Sequence, residues 1–134
     1  VNQVVSSELP LLEKIERFVD HYITLISENP DIPAFIIHEL NQNPEAFIQM
    51  LLSLPQKSAP MQMAMQLEAE IKAGHIKPIQ PLQLVVNIIS LCVFPFVAKP
   101  MIQGLLGVPE NQFQEFMESR KKEVAQFIID AIKV

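Results

Sequence analysis

The 32-residue stretch from Pro78 to Pro109 carries one charge, Lys99, and charged helical patterns flank it on both sides. A helix of a small soluble domain keeps one face in water and marks that face with charge. So long a neutral segment therefore needs a cover, and three exist: lipid, a deep core of its own chain, or a second copy of the chain. Leu82 to Ala98 comes close to the length of a membrane span. Against lipid stand Gln83, Asn87, Ser90 and Pro95 within the run, flanks without a basic cluster, and amphipathic neighbours. No membrane is expected.

On a helical wheel at about 100 degrees per residue, Gln83, Asn87, Ser90 and Phe94 share one narrow line, with Val85, Ile89, Cys92 and Phe96 opposite. A helix apolar on nearly every side touches two environments, here the interior of its own domain and a partner subunit. Which face meets which stays open at this point. The polar line either satisfies itself and nearby backbone, as buried polar groups usually do, or lines a cavity and meets a ligand.

Composition agrees with heavy burial. Hydrophobic residues make up 49% of the chain and mean hydropathy is +0.24. The 134 residues are read as one domain, 1–134, with one core. A net charge of −5 and a pI of about 5.1 offer no basic surface to phosphate backbones, so the chain by itself is not expected to bind nucleic acid. Arg120, Lys121 and Lys122 form the one basic cluster, read as a solvated face of the last helix. A single cysteine, Cys92, excludes an internal disulfide and a multi-cysteine zinc site. Between Leu91 and Val93 it reads as a small buried hydrophobe in a reducing cytoplasm. The chain opens at Val1 without a signal-peptide pattern, as expected of a piece of a longer protein.

Eleven prolines against three glycines, most of them where a helix starts or has just stopped, predict an all-α chain. Ser7 is expected to cap a first helix to about Ser27, with Pro10 in its first turn and Leu11, Leu12, Ile15, Phe18, Val19, Tyr22, Leu25 and Ile26 as its apolar stripe. Asn29-Pro30 ends it. Asp31 caps a short helix through Leu40, and Asn43-Pro44-Glu45 opens a third ending near Leu54. Ser58 or Ala59 before Pro60 opens a fourth, which runs to Ala73 and stops at Gly74. The uncharged helix starts at Pro81. Pro95 inside it predicts a kink or break, with a short continuation to Leu106. After Gly107-Val108-Pro109, a last helix spans Glu110 to about Lys133 with Phe113, Phe116, Met117, Val124, Phe127, Ile128 and Ala131 as its stripe. Ala125, Ile129 and Ile132 widen that arc, which again suggests cover on two sides.

The order of these segments resembles a known family. Asn29-Pro30-Asp31-Ile32-Pro33-Ala34-Phe35 with Glu39, then Gly74-His75-Ile76-Lys77-Pro78-Ile79 leading into Pro81-Leu82-Gln83-Leu84, then Phe94-Pro95-Phe96 and a charged closing helix, resemble the C-terminal domain of TetR-family transcriptional regulators. The resemblance implies an orthogonal helical bundle of about six to seven helices that binds an effector and forms a homodimer. In that family the last two long helices pair with their copies as a four-helix bundle. The dimer face is accordingly expected at Val85, Ile89, Cys92, Phe96, Phe116, Val124, Phe127, Ile128 and Ala131. The family's helix-turn-helix, roughly fifty residues at the N-terminus, is not in this chain, so operator binding belongs to the parent protein, by resemblance a repressor released by its ligand.

Enzyme signals are missing. His21, His38 and His75 form no metal pair at helical spacing, and the chain has neither a Gly-rich phosphate loop nor a nucleophile elbow. No metal or cofactor is expected. Glu39 falls between Ile32, Phe35 and Ile36 on a face expected to be buried, where it is either a structural ion pair or a pocket acid. Met61, Met63 and Met65 are core filler or the pliable wall of a promiscuous pocket, with Met61, Ala64, Met65 and Glu68 on one face. Phe18, Tyr22, Glu39, Met61, Met65, Asn87, Ser90 and Phe94 are the ligand-binding candidates. They imply a small, neutral or weakly polar lipophilic effector held between the first, fourth and uncharged helices. Two other readings compete: a helical protein–protein interaction module whose doubly covered helices bind a different protein and which has no ligand cavity, and a carrier of apolar small molecules, which shares the cavity.

Overall fold

In a computed structural model that describes residues 10–53 and 59–134, the chain folds into helices α1 (Leu11–Glu28), α2 (Ile32–Gln42), α3 (Pro44–Leu52), α4 (Ala59–Lys72), α5 (Pro81–Val97), α6 (Lys99–Leu106) and α7 (Glu110–Ile132). The described residues hold no strand, so the fold is all-α. The expected caps Ser7 and Ser58, and the expected end at Leu54, lie outside the described residues.

Proline and glycine mark the boundaries as the sequence suggests. Pro10 and Pro109 occupy N-cap positions, and prolines also stand at the first or second position of α2, α3, α5 and α6, where a missing N–H costs nothing. Gly74 at φ +78° closes α4. The His75 amide reaches back to the Glu70 carbonyl and the Gly74 amide to the Ile71 carbonyl, the paired bonds of a Schellman stop. Asp31 and Asn43 stand at the expected caps, but neither side chain accepts a capping bond. Gln80 does: its Oε1 takes the amides of Leu82 at 2.7 Å and Gln83 at 3.2 Å, and so opens α5.

α1 lies at the centre and packs against α4, α5 and α7. Its buried stripe includes Ile15, Phe18, Val19 and the fully enclosed Ile23, whereas Leu12 and Leu25 are left partly in water. Ile88 and Cys92 of α5, Met63 and Leu67 of α4, and Met117, Val124, Ile128 and Ile132 of α7 complete the core. The α4–α5 connection is stitched to the end of α7, where the Lys77 amide donates to the Ile132 carbonyl at 2.8 Å. α2 and α3 form an outlying hairpin. Phe35 and Phe47 meet edge to face across it, and α2 joins the body against α5.

Pro95 does not break α5 where it stands. The helix continues to Val97, and the axis turns by 73° into α6 only after Ala98. Proline has no N–H for the carbonyl four residues back, Leu91, and its ring crowds that oxygen. Arg120 of α7 supplies the lost donor: its Nη2 donates to the Leu91 carbonyl at 2.8 Å. Arg120 is therefore half-buried and structural, and Lys121 beside it bridges Glu118 at 2.8 Å and Asp20 of α1 at 3.4 Å. This corrects the reading of the basic cluster as a solvated face. Among these three only Lys122 is exposed, because the other two reach across to α5 and α1.

Arg120→Met is expected to destabilise the chain by about 1.5–3 kcal/mol, the range for a lost hydrogen bond to a charged group, measured by urea unfolding. The loss should shrink in a Pro95→Ala background, where residue 95 regains an N–H for the Leu91 carbonyl. An equal loss in both backgrounds would disprove the link between Pro95 and Arg120.

Candidate functional site

The expected ligand-binding residues occupy different settings. Phe18 is buried and Tyr22 half-buried, one turn apart on α1 with ring centroids 4.7 Å apart, Phe18 within the core and Tyr22 packed against it. Met61 and Met65 are each 49% exposed, and the methionine that enters the core is Met63. The inner face of α4 is centred on Met63 and Leu67, one turn apart, which rotates the neighbouring methionines outward. Glu39 is half-buried beside an exposed Phe35, because the α2–α3 hairpin covers that face with nothing else. Asn87, Ser90 and Phe94 are exposed, so the polar line of α5 runs along its open side and faces away from the core.

The expected dimer residues divide in the same way. Val85, Cys92, Val124 and Ile128 lie within the core of the single chain, with at most 7% of their surface exposed. Their own protomer covers them, and they have almost no area left to lose to a partner. Ile89, Phe96 and Phe116 are half-buried, while Phe127, at 67%, and Ala131 are open. The apolar surface that α5 presents to solvent is instead Leu82, Val86, Phe94 and Val97, and α6 adds Met101, Leu105 and Leu106. So the side of α5 marked by its polar line is the uncovered side.

Among the described residues, two of the grooves that flank the bundle differ sharply in lining. One, of about 560 Å³, runs between α1 and α7 and is lined by charged and polar groups including Glu16, Asp20, Lys122 and Glu123. The other, of about 420 Å³, lies between α2 and the end of α5, where Pro33, Ala34, Ile37, Phe96 and Val97 form apolar walls and His38 and Asn41 supply polar edges. Its size and lining suit a small lipophilic molecule better than the charged groove does.

Sequence reasoning missed Lys14 and the environment of Arg120. Lys14 is buried, and its Nζ donates to Oε1 of Gln66 on α4 at 2.9 Å. Its position on the inner stripe of α1, one turn before Phe18, was the available signal. Around Arg120, burial raises the Cys92 thiol to about 12 against the opposing pull of the guanidinium. Burial also raises the Tyr22 hydroxyl, with Cys92 adding to it, and lowers Arg120. Nε of Arg120 is buried and has no hydrogen-bond partner among the described residues.

The described residues thus form a helical body with one largely exposed apolar helix face. The chain matches the family described as Tetracyclin repressor-like, C-terminal domain, over residues 12–132, and it belongs to that family. This is a family of regulator domains for ligand binding and dimerisation, and such domains are not enzymes. Among curated proteins and solved structures none matches the chain. Among the described residues no single helix is long and apolar enough to cross a membrane; α5 and α6 reach the required length and composition only together, across their 73° bend.

Because the Cys92 thiol keeps its proton to about pH 12 in the fold but ionises around 9.0 in an ordinary setting, the folded state binds more protons across that window. Stability should therefore fall as pH rises from about 9 towards 12. Thermal melts across this range should show a shallower alkaline decline for Cys92→Ala than for the parent. Native protein should also leave a thiol reagent unreacted until urea unfolds it; rapid native labelling would contradict this placement of Cys92.

Proposed function

We propose that this chain is the effector-sensing and dimerisation domain of a TetR-like transcriptional regulator, working in the cytoplasm. It pairs with a second copy of itself through the open side of α5, and it takes a small lipophilic effector in the apolar groove between α2 and the end of α5. The parent protein's helix-turn-helix would bind the operator, and effector binding would change the spacing of the two DNA-binding heads. By resemblance the parent is a repressor released by its ligand. The coupling cannot exceed the effector's differential affinity for the two helix arrangements.

The observation that carries this reading is the uncovered face of α5, with Leu82 and Phe94 56% exposed and Val86 58% exposed on a helix without a charged residue. Water is a poor neighbour for so much contiguous apolar surface, and exposed patches of this kind mark interaction sites. A stable dimer buries about 800 Å² on each partner, and the chain exposes 8703 Å² in total. An isologous pairing of α5 against its copy also leaves Gln83, Asn87 and Ser90 able to bond across the two-fold axis.

Val86→Glu and Phe94→Glu are expected to convert a dimer to a monomer, weakening association by at least about 100-fold because each would bury an unpaired carboxylate. Helical content should survive, since both sites are open in the protomer. Val124→Glu, which strikes the core, should unfold the chain. Light scattering after size exclusion, with circular dichroism beside it, reads both effects. A parent chain that stays monomeric at high concentration would end the dimer reading.

A further inference from the structure

We propose that the groove between α2 and the end of α5 binds a neutral phenol, its ring against Phe96 and its hydroxyl between His38 and Asn41. This rests on the reading of the groove as the effector site and names its ligand class. Pro33, Ala34, Ile37, His38 and Asn41 follow the helical repeat, so one whole side of α2 lines the groove. Of that side only Pro33 is buried, and α3 meets α2 through Phe35, outside this set. Across the gap stand Phe96 and Val97 of α5. Ile37 and Val97, one on each wall, are both exposed. At about 420 Å³ the space lies within the range of small-molecule sites.

The lining selects the chemistry. Phe96 is half-buried and meets Phe113 of α7 edge to face, with centroids 6.4 Å apart and planes at 75°, and Phe113 stacks in turn on Phe116. Phe96 is thus the fixed outer member of an aromatic row, and a flat ring in the groove would extend that row. His38 and Asn41 stand three residues apart on α2, both exposed and neither with a hydrogen-bond partner among the described residues. A neutral imidazole and an amide each offer a donor and an acceptor, which matches a hydroxyl, itself both. None of the lining residues is Asp, Glu, Lys or Arg. Lys99, two residues after Val97, is engaged by Glu110 at 3.0 Å and by the Phe113 ring at 4.8 Å. A carboxylate or an ammonium would lose hydration here without gaining a counter-ion. Val97 borders both the groove and the open face of α5, so a bound ring lies beside the proposed dimer contact.

The test is displacement of a neutral fluorophore, N-phenyl-1-naphthylamine, from the purified chain by 2-naphthol, naphthalene and decahydro-2-naphthol at neutral pH. 2-Naphthol should act at about ten-fold lower concentration than naphthalene, as one or two neutral hydrogen bonds predict. It should act at about five-fold lower concentration than the saturated alcohol, which lacks the aromatic contact. His38→Ala and Asn41→Ala should each narrow the gap between 2-naphthol and naphthalene while leaving naphthalene within about two-fold; both sites are exposed, so the fold should survive. Ala34→Phe, which fills the groove, should weaken all three by about ten-fold or more. Parity of 2-naphthol with naphthalene or with the saturated alcohol overturns the proposal and leaves the groove reading standing, as does a preference that survives in both alanine variants. If Ala34→Phe changes nothing, the ligands sit elsewhere and the groove reading falls together with the phenol. A chain that binds neither the fluorophore nor any competitor fails the effector reading itself, and this proposal with it.

Discussion

The Leu91 carbonyl is the point on which the arrangement of α5, α6 and α7 depends. Pro95 removes its normal donor, and a backbone acceptor stranded in an apolar helix is too costly to leave alone. Arg120 answers from 29 residues away, and in doing so fixes the register of α7 against α5. The 73° turn into α6 follows within a few residues, and α6 is then tied down by Glu110, which accepts from Lys99 at 3.0 Å and from Gln103 at 2.5 Å. Those contacts hold the Glu110 carboxyl below the usual range at the start of α7, where the helix dipole also favours an anion. Proline, arginine and glutamate thus form a chain of polar obligations through an otherwise neutral segment.

That segment resolves into two faces with different covers. Ile88 and Cys92 are wholly enclosed by α1, α4 and α7, while Val86 and Phe94 on the other side stay more than half exposed. Each fully buried side chain of this size contributes about 1.5–3 kcal/mol, so the inner face alone is enough to seat α5. The outer face adds nothing to the protomer, and its apolar character makes sense as provision for another surface. In the proposed dimer its polar line would serve the same end, because uncharged groups can be buried with a partner at far lower cost than charges.

Much of the chain was legible because local rules act alone at its boundaries. Asn29-Pro30, Gly74 and Gly107-Val108-Pro109 punctuate helices wherever they occur, and they do so here. The candidate site was far less legible. α5 is so uniformly apolar that periodicity cannot tell its inner side from its outer, and the residues assigned to a partner, Val85 and Cys92, belong to the core. Glu39 was placed on a buried face because α2 is amphipathic, yet the α2–α3 hairpin leaves Phe35 open. On α4 the choice between Met61 with Met65 and Met63 with Leu67 depended on which stripe α1 and α5 would meet.

By itself, then, the sequence determined the all-helical class, the helix limits marked by Asn29-Pro30, Gly74 and Gly107-Val108-Pro109, and the need for a cover over Pro78–Pro109, since each follows from chemistry within a few residues along the chain. Only tertiary structure decided the faces: that α5 turns Ile88 inward and Phe94 outward, and that Lys14 enters the interior. It also decided that Arg120, an apparent surface cation, spends its charge on a carbonyl freed by Pro95. The physical reason is that burial and hydrogen-bond satisfaction are properties of neighbours distant in sequence, and a helix with apolar residues all round carries no local record of which neighbour it will meet.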